Sequence, residues 1–140
     1  ASLVRPLMSE TYKLSQKEFL AISALEGADR YAHLLKRAAD WEMFWGLHNE
    51  SGWVVAGDDK NNKLFPIWPH PDYAVACATG PWSGNTPTSI GLQQFLDHWL
   101  PGMASDGILV AVFPTPTMQG VAVGPETFLE DLSLEMAKYE

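Results

Sequence analysis

The chain has 140 residues, 46% of them hydrophobic and 19% charged, which is enough for one core of ordinary size and leaves two domains undersized. Nine Lys and Arg against seventeen Asp and Glu give a net charge of −8, and the imbalance is local, because no Lys or Arg occurs between Lys63 and Lys138. That half has no side-chain cation with which to neutralise phosphates, which argues against a nucleic acid or an anionic membrane as its partner, and six Trp with ten Pro exclude a low-complexity or disordered chain.

Residues 1–7 precede Met8-Ser9-Glu10 and read as an appended remnant, so the expected domain is 8–140, a single unit. In Leu14-Ser15-Gln16-Lys17-Glu18-Phe19, Ser15 stands at an N-cap position, Glu18 at the reciprocal capping-box position, and Leu14 can staple onto Phe19. A helix from Gln16 to Glu26, closed by Gly27, is predicted. Asp29 can cap a second helix to about Ala39, with Tyr31, Leu34 and Leu35 on one side and Arg30, Lys36 and Arg37 more exposed.

The periodicity then changes to two. Trp41, Met43, Trp45 and Leu47 alternate with Glu42, Phe44 and Gly46, a strand that turns at His48–Gly52 and returns as Trp53–Ala56. Leu64–Trp68 is a third strand, placed at an edge or kept short because Pro66 cannot donate to a ladder. His70-Pro71 opens a helix stopped by Gly80-Pro81, and Trp82–Thr88 is the main surface loop. Leu92, Phe95, Leu96, Trp99 and Leu100 form an amphipathic helix ended by Pro101 and Gly102. Ile108–Phe113 reads as a strand buried on both faces, Gly120–Val123 as its neighbour, and Pro125 as the start of a final helix with Phe128, Leu129, Leu132 and Met136 in one stripe. The fold class is α+β: a single domain in the order ααβββααββα, an antiparallel sheet with helices packed on it.

No run approaches the roughly 20 apolar residues that span a bilayer, and no secretory signal pattern is present, so a cytosolic location is expected. The single Cys77 fits a reducing compartment and, on a face shared with Tyr73 and Ala74, reads as a small buried hydrophobe rather than a nucleophile. His33, His48, His70 and His98 lack metal-ligand spacing, so no metal is expected. Asp58-Asp59-Lys60-Asn61-Asn62-Lys63 lacks the glycine and the terminal glutamate of a calcium loop, and Gly80-Pro81-Trp82-Ser83-Gly84 does not make a nucleophile elbow. No nucleotide fingerprint occurs, and no cofactor is expected.

The most unusual stretch is Leu64–Tyr73. Its three prolines stiffen the backbone around Trp68, His70 and Asp72 where a strand meets a helix, which suits a binding pocket, although a core Trp68 and a capping His70 are the favoured explanation of the pattern. Trp82, beside Gly and Pro in a polar loop, is a candidate interface anchor. Asp97 and His98 complete the candidate binding residues, and none is assigned a catalytic role.

Trp45-Gly46-Leu47 with Gly52-Trp53, Leu64-Phe65-Pro66-Ile67-Trp68-Pro69 followed by Tyr73-Ala74, Trp82, Phe95–Met103 and Asp106-Gly107 before Val112-Phe113-Pro114 together resemble the bacterial domain of unknown function 2750 family over about residues 15–132. The second half also resembles, more faintly, SseB-type secretion-associated domains. The first resemblance implies a small cytosolic bacterial protein and supplies no activity, so no catalytic residue is carried over. Three functions are weighed. One is a non-enzymatic interaction module, immunity- or inhibitor-like, whose acidic surface meets a basic protein partner. Another is a small-molecule-binding domain or enzyme near Trp68, His70, Asp72 and Trp82. The last is a homodimer formed through an edge strand or exposed aromatics.

Overall fold

Ser15 Oγ accepts the backbone N–H of Glu18 at 3.0 Å, so the expected helix start is the one used, in a computed structural model that describes residues 12–57, 60, 62–116 and 120–138. Residues 1–7, and Asp58, Asp59 and Asn61 of the polar turn, lie outside the described residues. Helix α1 (Gln16–Ser23) is shorter than predicted, and Gly27 opens α2 (Gly27–Trp41) rather than closing α1. A Cβ at Gly27 would lie 2.8 Å from Val121 Cγ2, so glycine there allows the helix to approach the sheet closely. Arg30 is buried instead of exposed. Its Nε donates to the Phe113 carbonyl at 3.1 Å and its Nη1 to the carbonyl of Leu25, so the charge is held by backbone oxygens.

Strand β1 (Met43–Asn49) turns through Ser51, whose N–H is accepted by Asn49 Oδ1 at 2.7 Å, into β2 (Gly52–Trp53). The chain continues to β3 (Ala56–Gly57) and β4 (Lys63–Ile67), then α3 (Pro71–Cys77) and a short 3₁₀ turn at Gly80–Trp82. Strand β5 (Thr86–Gly91) follows, and the chain runs without a break through α4 (Leu92–Gln94), a π-helical turn Phe95–Trp99 and α5 (Leu100–Asp106). Strands β6 (Ile108–Val112) and β7 (Val121–Val123) precede α6 (Pro125–Ala137).

The ladders are β2-β1-β5 and β3-β4-β6-β7. They join where Trp45 and Trp68 exchange two backbone hydrogen bonds of 2.8 Å each. Beyond that pair β1 and β4 diverge, and the segment 52–57 fills the wedge, bonding β1 through β2 and β4 through β3. The result is an α+β domain whose pairings are antiparallel except for β4 with β6, which run parallel because a helical crossover separates them.

Three sequence expectations change here. Pro66 does not mark an edge, since β4 lies inside its sheet; Leu64 pairs with Ala56 and Trp68 with Trp45, and Pro66 falls between them where the missing donor has no ladder to serve. The second half of the Trp82–Thr88 loop is the start of β5, which pairs with β1 over six residues despite its turn-forming composition. The helix expected to end at Pro101 runs on to Asp106 and stops at Gly107 in the left-handed region (φ 72°). Leu100 N–H bonds back to Phe95, one residue further than in an α-helix, and this widened turn lies where Pro101 would otherwise crowd the preceding turn.

One side of the sheet carries Phe44, Phe65, Phe95 and Phe128, with ring centroids 5.0–6.5 Å apart, and Trp53 and Trp99 close its end. Gly46 lies under Trp53, where an added Cβ would sit 3.1 Å from the indole. Gly46→Val is expected to lower the free energy of unfolding in denaturant by about 1–3 kcal/mol through overpacking, whereas Gly91→Ala, which meets open space, stays within about 0.5 kcal/mol.

Candidate functional site

The proline-stiffened segment is rigid because its side chains hold backbone. Trp68 is fully buried, its Nε1 donates to the Pro114 carbonyl at 2.9 Å, and Trp82 meets it edge-on at 6.1 Å. His70 caps α3: its Nδ1 accepts the N–H of Asp72 at 3.0 Å, so Nε2 carries the proton and donates to the Tyr12 carbonyl at 2.9 Å. Both ring nitrogens are thereby engaged by backbone. Burial lowers the His70 pKa, against the opposing pull of the Tyr12 bond and of Asp72, and the ring stays neutral. Asp72 faces solvent, with 59% of its side chain exposed.

Trp68, His70, Asp72 and Trp82 therefore belong to one region, with only Asp72 reaching its surface and Trp82 half-buried. Asp97 and His98 are exposed on the π-helical turn; Asp97 accepts Gln93 Nε2 at 3.0 Å, and Phe95 and Trp99 of the same turn pack onto Phe65. Residues 65 and 68 lie on opposite faces of the extended chain, so the structure does not bring Asp97 and His98 to the Trp68 side. Cys77 is buried with Sγ donating to the Pro114 carbonyl at 3.3 Å, and burial pushes its pKa up to about 11, the behaviour of a core thiol. In β5, alternation points the backbone of Pro87 away from β1, so this outer edge lacks one of the donors that strand-to-strand pairing between copies would use.

A second cluster was not legible in advance. Arg30, His33 and Arg37 recur along α2 at helical spacing, and Arg37 reaches α1 through a 3.0 Å ion pair with Glu18. The Arg37 guanidinium lies 4.0 Å over the Tyr12 ring, Tyr12 meets His70 edge-on at 4.9 Å, and Phe19 of α1 stacks on Tyr73 at 5.1 Å. Around this ion pair three buried atoms have no hydrogen-bond partner among the described residues: Tyr12 Oη, Tyr73 Oη and His33 Nε2. Each such atom costs about 1–3 kcal/mol if it stays unsatisfied, so three beside one ion pair mark the least settled part of the interior. Burial raises both phenols well above the ordinary tyrosine range and lowers His33, so at neutral pH the phenols carry their protons and the imidazole is uncharged. Next to the cluster, between α1 and α3, lies a groove of about 270 Å³ lined by Leu14, Ser15, Gln16, Phe19, Val75 and Ala76, with the exposed Asp72 at its rim. The only advance signal was the polar stripe on α2, and it does not say what the stripe meets.

Comparison with known families bears on this arrangement. The model of a protein family described as proteins of unknown function, DUF2750, matches residues 31–132. The chain belongs to that family. The match spans most of α2 through most of α6, so this member's His33, Arg37, His70, Asp72 and Tyr73 lie within the family segment, and Tyr12 and Glu18 precede it. Nothing among curated proteins or solved structures matches the chain.

Two measurements follow from this DUF2750 member's interior. His33 and His70 are held neutral and take up protons on unfolding, so stability should be lost as the pH falls through about 6.5, the ordinary histidine value, and a pH series of thermal melts reads it. In a His33→Gln, His70→Asn double variant that slope should flatten; a wild-type melting temperature constant from pH 7.5 to 5.5, conditions set by the histidine range, would contradict the assignment. Cys77 should resist alkylation in the native state at neutral pH and react only on unfolding.

Proposed function

We propose that this protein is a cytoplasmic, non-enzymatic interaction module that binds a protein partner of basic surface through the helices covering one side of its sheet. The observation that carries the reading is the solvent side of the helical run 92–106 and of α6. Asp97, Asp106, Glu126 and Glu130 are exposed there, and the one lysine of this half, Lys138, is paired with Glu135 at 3.2 Å. Asp131 is engaged separately, accepting Tyr31 Oη at 2.6 Å, and of the four exposed carboxylates Asp97 also accepts from the exposed Gln93 on its own helical run. Leu129 and Leu134 stand among them at 41% and 64% exposure. Carboxylates with interspersed leucines attract a basic surface from a distance and offer it apolar contact on arrival. The internal engagement of His70 and Cys77 supports a binding rather than a catalytic role.

Affinity capture from the native host with wild type and with an Asp97→Lys, Asp106→Lys, Glu126→Lys, Glu130→Lys variant tests this. The wild type should recover basic proteins whose association slows about tenfold or more between low and physiological salt, and the variant should lose them. Recovery of the same proteins by both, with the same salt dependence, rules out the acidic helical face as the binding surface.

A further inference from the structure

We propose that the junction of α1, α2 and α3 binds a small monocarboxylate with an apolar body, its carboxylate replacing that of Glu18 on Arg37 and its body lying in the groove between α1 and α3. The site is separate from the acidic helices and stands independently of the function proposed for them.

The junction and the groove beside it support this. The unpartnered Tyr12 and Tyr73 hydroxyls, on side chains more than nine-tenths buried, flank the same ion pair as the unpartnered His33 Nε2. Two phenols that keep their protons and a guanidinium are donors without a shared acceptor, and a carboxylate, with two oxygens and about four lone-pair sites, is the small group that can take all three. The structure already supplies a carboxylate here from Glu18, whose charge acts on Tyr12, Tyr73, His33 and His70 alike. Glu18 is replaceable, because α1 has no buried residue and the Glu18 and Arg37 side chains are 32% and 29% exposed. The groove beside it offers the apolar side chains of Leu14, Phe19, Val75 and Ala76 alongside Ser15, Gln16 and Asp72, and Phe19 is also the ring covering Tyr73, so a displacement of Phe19 would open the groove toward Tyr73. Asp72 at the rim repels a second negative charge, which selects a monoanion over a dicarboxylate.

The test titrates the full chain with phenylacetate, and with neutral phenylacetamide as the matched probe, by calorimetry and by amide chemical shifts. Wild type should bind phenylacetate, with shifts centred on residues 14–19, Arg37 and 72–76, and should ignore the amide. Glu18→Gln, which removes the internal competitor, should bind about tenfold tighter, and Arg37→Gln should lose binding. A paired Tyr12→Phe, Tyr73→Phe variant should bind several-fold more weakly than wild type. Because Glu18→Gln is a gain of binding, misfolding cannot imitate it. No binding by wild type or Glu18→Gln at about 10 mM probe, equal binding of the amide, or undiminished binding by a folded Arg37→Gln overturns the proposal.

Discussion

Two hydrogen bonds between the backbones of Trp45 and Trp68 hold together what would otherwise be two small sheets. One ladder has three strands and the other four, and several of those strands are only two or three residues long. Short strands need their neighbours to stay ordered, and joining the ladders at one residue pair lets the flanking helices pack against a common surface. The junction also explains its surroundings. Because β1 and β4 meet at one point and then separate, the segment 52–57 must bend between them, and Pro66 can lie in a central strand at the place where the ladder changes partner.

The indole of Trp68 carries the same constraint into the side-chain layer. Its N–H and the Cys77 thiol both reach the carbonyl of Pro114, while Arg30 holds the neighbouring carbonyl of Phe113, a residue in the left-handed region at φ 52°. A non-glycine residue there is costly unless its surroundings fix it, and here hydrogen bonds from α2 and from β4 hold that turn. Trp68, Cys77 and Arg30 thus each have a backbone acceptor, while Trp45 Nε1, across the junction from Trp68, is buried without a partner among the described residues. The contrast with the α1–α2–α3 junction, where Tyr12, Tyr73 and His33 keep unpartnered atoms around Glu18 and Arg37, is what gives that junction its interest.

Charge is distributed by the same architecture. Eight of the nine cations lie in residues up to Lys63, chiefly on or near α1 and α2, and the remainder, whose one cation is Lys138, supplies the helical run 92–106 and α6. The acidic excess is therefore a property of particular helix surfaces. Family membership adds that most of α2 through most of α6 forms the shared segment, with α1 and its Glu18 outside it.

Local rules were readable wherever a residue acts on its own few neighbours. Ser15 and Glu18 specify a helix start, His70-Pro71 another, and the apolar run 108–113 a buried strand. The sequence by itself determined the α+β class, the core assignment of Cys77, and the one-sided charge, because periodicity, capping and composition are local or additive quantities. Only the tertiary structure decided that Thr86–Gly91 is a strand, that Pro66 is central, that Arg30 is buried, and that Glu18 and Arg37 meet among three unpartnered polar groups. Each of those depends on a partner distant in the chain, β1 for β5, Phe113 for Arg30, α1 for Arg37, and long-range pairing leaves no local periodicity from which it could be read.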